Sequence, residues 1–241
     1  MLTDGTRAKA WLFYVELGGW LLTSTLLVAG LPVGAVASAA VALSAFLAGR
    51  RLSRRAPAPM PYSMAWVLRL PRFAHEPARI IRTLQPQPGE RVLEVGPGIG
   101  VHALPVAAAL GPAGTLDVLD IQQEMLDEVA RRAARRGIRT IVPARGDARL
   151  LPYPASTFDA AYLVTVLGEV PDPAAALREL RRVLKPEGRL LIAEELLDPD
   201  FIPLGRLRHM AAAAGFTVEQ TAGPRFSYRA VLRPARLGAI R

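Results

Sequence analysis

The residues of this chain best placed to do chemistry are Glu94, Gly96, Gly98 and Gly100, in the run VLEVGPGIG from Val92 to Gly100. An aliphatic stretch ends there in a carboxylate and three glycines at alternate positions, the pattern of a strand that turns tightly into a helix. Without a Cβ, a glycine lets the backbone come close to a flat, polar ligand and take up left-handed dihedrals. The spacing departs from the G-x-G-x-x-G dinucleotide fingerprint, which wants its third glycine at position 101, where this chain has Val101.

Further polar positions follow at intervals of one strand and one helix. TLDVLD ends at Asp120, next to Ile121, and a carboxylate at a strand end can accept hydrogen bonds from both hydroxyls of a ribose. After the strand-like TIVPAR comes Gly146-Asp147-Ala148, where Asp147 can take the exocyclic amine of an adenine. FDAAYLVTVL is a strand candidate, and LRELRRVLKPEGRLLIAEE reads as a helix, a Lys-Pro-Glu-Gly turn and a strand.

In order and spacing these five motifs resemble the class I S-adenosylmethionine (SAM) dependent methyltransferases of the type 11 and type 25 kind, a group with small-molecule, quinone and phospholipid methyltransferases in it. The resemblance runs from about Pro86 to Leu197 and more weakly to about Pro234. It implies that Glu94, Gly96, Gly98 and Gly100 hold the methionine end of SAM, that Asp120 with Ile121 holds the ribose side, and that Asp147 with Ala148 holds the adenine. It also implies a Rossmann-like three-layer αβα sheet, mostly parallel with an antiparallel last strand. Many relatives carry a histidine pair after the fourth strand. This chain has Gly168-Glu169 there, so a role tied to those histidines does not carry over.

The elements that must position these residues alternate as an α/β fold requires. Strands are expected at Arg91–Val95, Thr115–Asp120, Arg139–Ala144, Ala160–Val166 and Arg189–Glu194, with tail strands at Thr217–Gln220 and Tyr228–Leu232. Helices are expected at His102–Leu110, Gln123–Arg136, Pro173–Leu184 and Leu204–Ala214. The arginines from Arg131 to Arg136 read as a solvated helix face. In an open parallel sheet ligands gather at the carboxyl ends of the strands, near the switch point, where Glu94, Asp120, Asp147 and Glu194 fall. Groups for orienting or deprotonating an acceptor are Tyr153, Tyr162, Glu169 and Glu194, with Tyr62 and His75 from the segment before the sheet.

Bulk composition narrows the chemistry. There is no cysteine, which excludes disulfides, thiolate zinc sites and a cysteine nucleophile. The three histidines, His75, His102 and His209, are far apart in sequence, and no metal is expected. The net charge of +9 is carried almost wholly by arginine, since Lys9 and Lys185 are the only lysines. Such a field favours an anionic partner, nucleic acid or a membrane surface.

The amino-terminal segment favours the membrane. Leu17–Gly49 carries no charge and is followed by the basic run RRLSRR. Two spans, Ala10–Ala29 and Val33–Gly49, with a turn at Gly30, Pro32 and Gly34, would place Arg7 and Lys9 beside Arg50, Arg51, Arg54 and Arg55 on one side, as the positive-inside rule prefers. A single tilted span and a helical pair lying in the interface or packed in an oligomer stay open; a cleaved signal peptide would separate an exported enzyme from cytosolic SAM. The chain thus divides into a hydrophobic anchoring segment (1–55), a linker rich in proline, arginine and aromatics with one or two amphipathic helices (56–88), and the α/β domain (89–241). The expectation is a membrane-anchored methyltransferase, its catalytic domain in the cytoplasm, acting on a lipophilic or small-molecule acceptor. A soluble metabolite or nucleic acid as acceptor, and a noncatalytic SAM-binding scaffold, are the alternatives.

Overall fold

The computed structural model describes residues 4–69 and 76–235, which fall into two compact units divided after Met64. The first unit is a helical hairpin. Helix α1 (Asp4–Val28) and helix α2 (Pro32–Arg55) are joined through Gly30, which has a left-handed φ of 71°. The expected turn is shorter than Gly30–Gly34: Pro32 opens α2 at its first position, where its missing N–H costs nothing. Gly34 lies inside that helix. Buried Ala35, Ser38, Ala42, Ala45 and Gly49 recur three and four residues apart and so share one face of α2. The two backbones come close where a Cβ on Gly19 would lie 2.8 Å from that of Ala42 and the Ser38 hydroxyl donates to the Gly19 carbonyl at 2.7 Å. Small residues at a helix crossing make such an approach possible.

A 3-10 helix (Tyr62–Arg69) precedes the second unit's first α-helix, α3 (Pro77–Leu84). The rest alternates: β1 (Arg91–Val95), α4 (Ala103–Leu110), β2 (Thr115–Asp120), α5 (Gln123–Arg135), β3 (Ile141–Arg145), β4 (Phe158–Val164), α6 (Pro173–Val183), β5 (Leu184–Glu195), α7 (Leu204–Ala213), β6 (Phe216–Ala222) and β7 (Ser227–Pro234). The seven strands form one sheet in the order β3-β2-β1-β4-β5-β7-β6. All neighbours are parallel except β7, which runs antiparallel to both β5 and β6, as the sequence led one to expect.

Successive residues of each strand face opposite layers. Leu93, Val95, Leu163 and Ile192 pack with Leu177, Leu180 and Leu207 of α6 and α7 on one side. Val92, Tyr162, Val164 and Leu191 pack with Ile80, Val106, Leu110, Leu126 and Val129 of α3, α4 and α5 on the other. Burial on both faces is why these strands read as continuous apolar runs rather than alternating ones. At the start of α6 the Asp172 side chain accepts from the Ala175 N–H, with Pro173 at the first position, so helix entry is fixed locally.

Several boundaries differ from expectation by a few residues, such as β3 at Ile141–Arg145 and β7 at Ser227–Pro234, and two of the differences have visible reasons. The Lys-Pro-Glu-Gly turn is absorbed into β5 as a bulge: Phe158 pairs with Leu184 and Ala160 with Arg189, so five steps on β5 face two on β4. Strand β4 stops at Val164 because Thr165 has φ 54°, a left-handed conformation costly for a β-branched residue.

Candidate active site

Between β1 and β4 the connections diverge to opposite sides, which makes their carboxyl ends the switch point of the sheet. Gly96, Gly98 and Gly100 lie there with φ of 70°, 52° and 79°, all in the left-handed region that excludes most side chains. Their surroundings close the loop tightly. A Cβ on Gly96 would sit 2.4 Å from Val166 Cγ2, and one on Gly98 would sit 2.7 Å from Leu68 Cδ1. Substitution at Gly98 therefore meets Leu68 before it meets anything in the cradle. Arg132 of α5 holds the loop from the side, its guanidinium donating to the Ile99 carbonyl at 2.6 Å.

Glu94 is the second residue from the end of β1 and is buried. Register makes Glu94 the partner of Tyr162 on β4, and the Tyr162 hydroxyl donates to Glu94 Oε2 at 2.8 Å. Burial, with the nearby Asp120 charge, pushes the Glu94 carboxyl up to about 8 against the opposing effect of that hydrogen bond. Tyr162 is itself fully buried and raised well above its usual range by burial and by Glu94. It thus positions Glu94 rather than standing open to an acceptor.

Asp120 ends β2. Its carboxylate accepts from the backbone of Gln122, at 2.9 Å, and of Ile121 and Gly98, so it bridges the strand end to the glycine loop. Burial raises it to about 6 in spite of these donors. Ile121 beside it is half exposed and Ala148 is buried, giving an apolar wall next to a polar edge. Asp147 lies one loop further on and is engaged by Arg149, whose guanidinium donates to both carboxylate oxygens, the shortest contact being 2.6 Å. The Asp147 carboxyl is held below its usual range mainly by this ion pair.

The remaining candidates separate. Tyr153 stands at the amino end of the strands, its ring 4.9 Å from that of Phe158, over which the Arg91 guanidinium also lies. Five residues of β1, about 17 Å of strand, lie between Arg91 and the glycine loop, so Tyr153 does not belong to the site as expected from sequence. Glu194 is buried near the carboxyl end of β5 but two residues on from Ile192, hence on the face opposite to Glu94. Its Oε2 accepts from the Ile202 N–H at 3.1 Å, and burial with Asp198 and Asp200 raises it well above the carboxylate range. A buried carboxyl tying down the loop after β5 is what this arrangement supplies, not an acceptor base. Glu169 closes a short 3-10 helix, Leu167–Glu169, directly after β4, and remains at the rim. Tyr62 opens the 3-10 helix Tyr62–Arg69 and is partly exposed; His75 lies outside the described residues.

Sequence reasoning missed Leu68, Arg132 and Val166. Arg132 had a signal: it follows Val129 by three positions, and Val129 lies on the buried face of α5 against Gly100. Among the described residues no group of three His, Asp or Glu side chains is arranged to hold a metal ion.

A family of methyltransferase domains matches residues 93–192, the interval from within β1 to Ile192 of β5. The α/β unit is a class I methyltransferase domain. Nocamycin O-methyltransferase of Saccharothrix syringae is 31% identical to it over 163 residues, 67% of this chain and 58% of that protein. A ubiquinone/menaquinone biosynthesis C-methyltransferase of Cellvibrio japonicus is 38% identical over 107 residues, 44% of this chain and 43% of that protein. The chain thus spans less than two thirds of the length of either relative. Among solved structures, a SAM dependent methyltransferase from Aquifex aeolicus superposes with a TM-score of 0.66 at 21% identity, covering 72% of this chain and 98% of that one. That likeness is one of fold. Both helices of the hairpin lie outside the matched residues 93–192 of the methyltransferase domain.

Proposed function

We propose that this chain is a SAM-dependent methyltransferase held at a membrane by its amino-terminal hairpin and acting on a lipophilic small molecule, a quinone precursor or a related acceptor. The observation that carries the cofactor assignment is the cradle itself: three left-handed glycines packed against Val166 and Leu68, with two buried carboxyls, Glu94 and Asp120, at their flanks. A buried carboxyl raised to about 8 is expensive to ionise without a cationic partner, and the methionine end of SAM carries one. Asp120 suits the ribose hydroxyls, and Ile121 with Ala148 suits the flat face of an adenine, with Asp147 able to accept from its amine once Arg149 releases one carboxylate oxygen.

SAM supplies an electrophilic methyl group on a sulfonium, and its transfer is an in-line displacement. The chain's part is to align and to exclude water. Tyr162 fixes the Glu94 carboxyl, Arg132 fixes the glycine loop, and Leu68 and Val166 roof it with apolar carbon. Glu169, in the short helix that follows β4, is the group of this chain placed to orient an acceptor or receive its proton. The quinone-type acceptor rests on the relatives named above and on the hairpin. Incubating the full-length protein with methyl-labelled SAM and membrane lipid extract should yield label in the apolar fraction. Label confined to the aqueous phase would overturn the lipophilic acceptor, and no label with SAM bound would overturn the catalytic reading.

The membrane assignment rests on helix length and exposure. Ala10–Val28 and Pro32–Arg55, 19 and 24 residues, are long and apolar enough to cross a bilayer. Trp11, Leu21, Leu22, Leu27, Val33, Val36 and Leu47 all face outward, an apolar surface that water disfavours. Arg50, Arg51, Arg54 and Arg55 mark the cytoplasmic end, where SAM is available. Deleting residues 1–55 should release a folded protein that still binds SAM, while the full-length chain should resist extraction from membranes by alkaline carbonate. Equal extraction of the two would defeat the spanning hairpin.

A further inference from the structure

Strand β5 ends at Glu195 and β7 begins at its register partner, Ser227. The loop after β5 and the turn before β7 therefore leave the sheet together, at the carboxyl edge of the parallel strands. The Leu196 N–H donates to the Phe226 carbonyl at 2.7 Å and ties the two segments side by side. At this junction Leu197 is 75% exposed and Phe226 59% exposed. The loop that carries Leu197 then packs on the segment after β4, since a Cβ on Gly168 would run into the Asp200 carbonyl. Glu169, the group placed to meet an acceptor, is the next residue along. An apolar tip thus stands three residues from a contact made beside Glu169.

A lone exposed leucine signifies little, because most folded surfaces carry some. Here two large apolar side chains are held together, and the course of the chain points to what covers them. Residues 56–61, at most about 20 Å when fully extended, are all that separates Arg55 at the end of the second span from the 3-10 helix Tyr62–Arg69. Leu68 of that helix lies over Gly98, at the carboxyl end of β1. The chain therefore enters the α/β unit on the same edge that bears the tip, and a bilayer that holds the hairpin is within a short tether of that edge. Charge favours no particular lipid: Arg225 flanks Phe226, while Asp198 and Asp200 share the loop of Leu197. The favourable part of an encounter is the transfer of apolar carbon out of water.

We propose that Leu197 and Phe226 form a membrane-docking tip that inserts into the boundary between headgroups and acyl chains and holds the carboxyl edge of the sheet against the bilayer. This rests on the membrane reading of the hairpin and extends it to the α/β unit. A lipophilic acceptor then passes from the bilayer to Glu169 without crossing bulk water.

Because the chain has no cysteine, one introduced cysteine labels a single position. The full-length protein is reconstituted in phosphatidylcholine vesicles with an environment-sensitive fluorophore at Leu197→Cys, at Leu21→Cys on α1, or at Val142→Cys on the outer strand β3, all exposed positions. Lipids carrying a nitroxide near the top or the middle of an acyl chain serve as quenchers. Insertion of about 5–10 Å predicts quenching at 197 by the shallow nitroxide, little at 142, and loss of the 197 response when Phe226→Asp is added to a variant of unchanged thermal midpoint. Quenching at 197 no greater than at 142, or quenching that survives Phe226→Asp, overturns the tip. A label at 197 equally shielded from water in detergent and untouched by the nitroxides means that a second copy of the chain covers it, which also overturns the proposal. Leu21 keeps the two readings apart: its quenching by the deep nitroxide alone leaves the spanning hairpin standing without the tip, and quenching at 197 alone supports the tip and strikes the span.

Discussion

Gly96→Val is expected to abolish SAM binding. Position 96 has φ 70°, and its Cβ would fall 2.4 Å from Val166 Cγ2, so the variant has to move either the loop or the end of β4. Holding a branched residue in that region costs about 1–3 kcal/mol by itself, and the collision adds to it. Titration calorimetry of a variant shown to be folded by its thermal transition measures the effect. Gly137→Ala is the control: φ there is 68°, yet nothing lies within 4 Å of the added Cβ. It should lose a little stability and no affinity. Normal SAM binding by Gly96→Val would remove the glycine loop from the site.

Glu94→Gln should weaken SAM by about one to two orders of magnitude at pH 8 and above, the loss of a charge-assisted partner for the cationic ligand. The pH dependence carries the stronger test. In the free protein the Glu94 carboxyl ionises near 8, so binding that requires its ionised form releases a proton below that pH. Wild-type affinity should therefore climb as pH rises towards 8 and level off above it, and the Gln variant should lack that climb. Folding runs the other way. A carboxyl whose pKa is raised in the native state keeps its proton while the unfolded chain loses it, so stability contributed at this position falls as pH rises from the ordinary 4.5 to about 8. Asp120, raised to about 6, acts likewise over a lower window beginning at 3.8. Glu94→Gln should become progressively more stable relative to wild type across pH 4.5 to 8. Parallel stability curves for the two proteins would show that Glu94 is ionised throughout.

The strands that carry the site were legible because their signals are local. Arg91–Val95 and Thr115–Asp120 end where expected, β1 one residue after Glu94 and β2 at Asp120 itself, and both are buried on two faces. What the residue order does not state is which strand lies beside which, and the surprises come from there. Tyr162 looked like a group for the acceptor until the β1–β4 register set it opposite Glu94. Glu194 looked like a fourth carboxylate on the same rim, but strand parity sends it to the other face. Tyr153 was displaced by the length of a strand, because its loop returns to the amino ends of β1 and β4. Thr165 ended β4 early through a dihedral that its residue type disfavours, which propensity alone does not foresee.

Leu68 alters where the α/β unit has to begin. The first strand starts at Arg91, and a fragment designed from there would hold the whole sheet and all the polar ligands of the cradle. It would nevertheless leave Gly98 without the side chain that covers it, since that cover comes from a helix upstream of both α3 and the sheet. Water would then reach the glycine loop, weakening each electrostatic contact that a dry pocket strengthens. Expression fragments and chimaeras of this chain therefore need their junction upstream of Tyr62, and a fragment opening at Arg91 tests pocket hydration instead of domain autonomy.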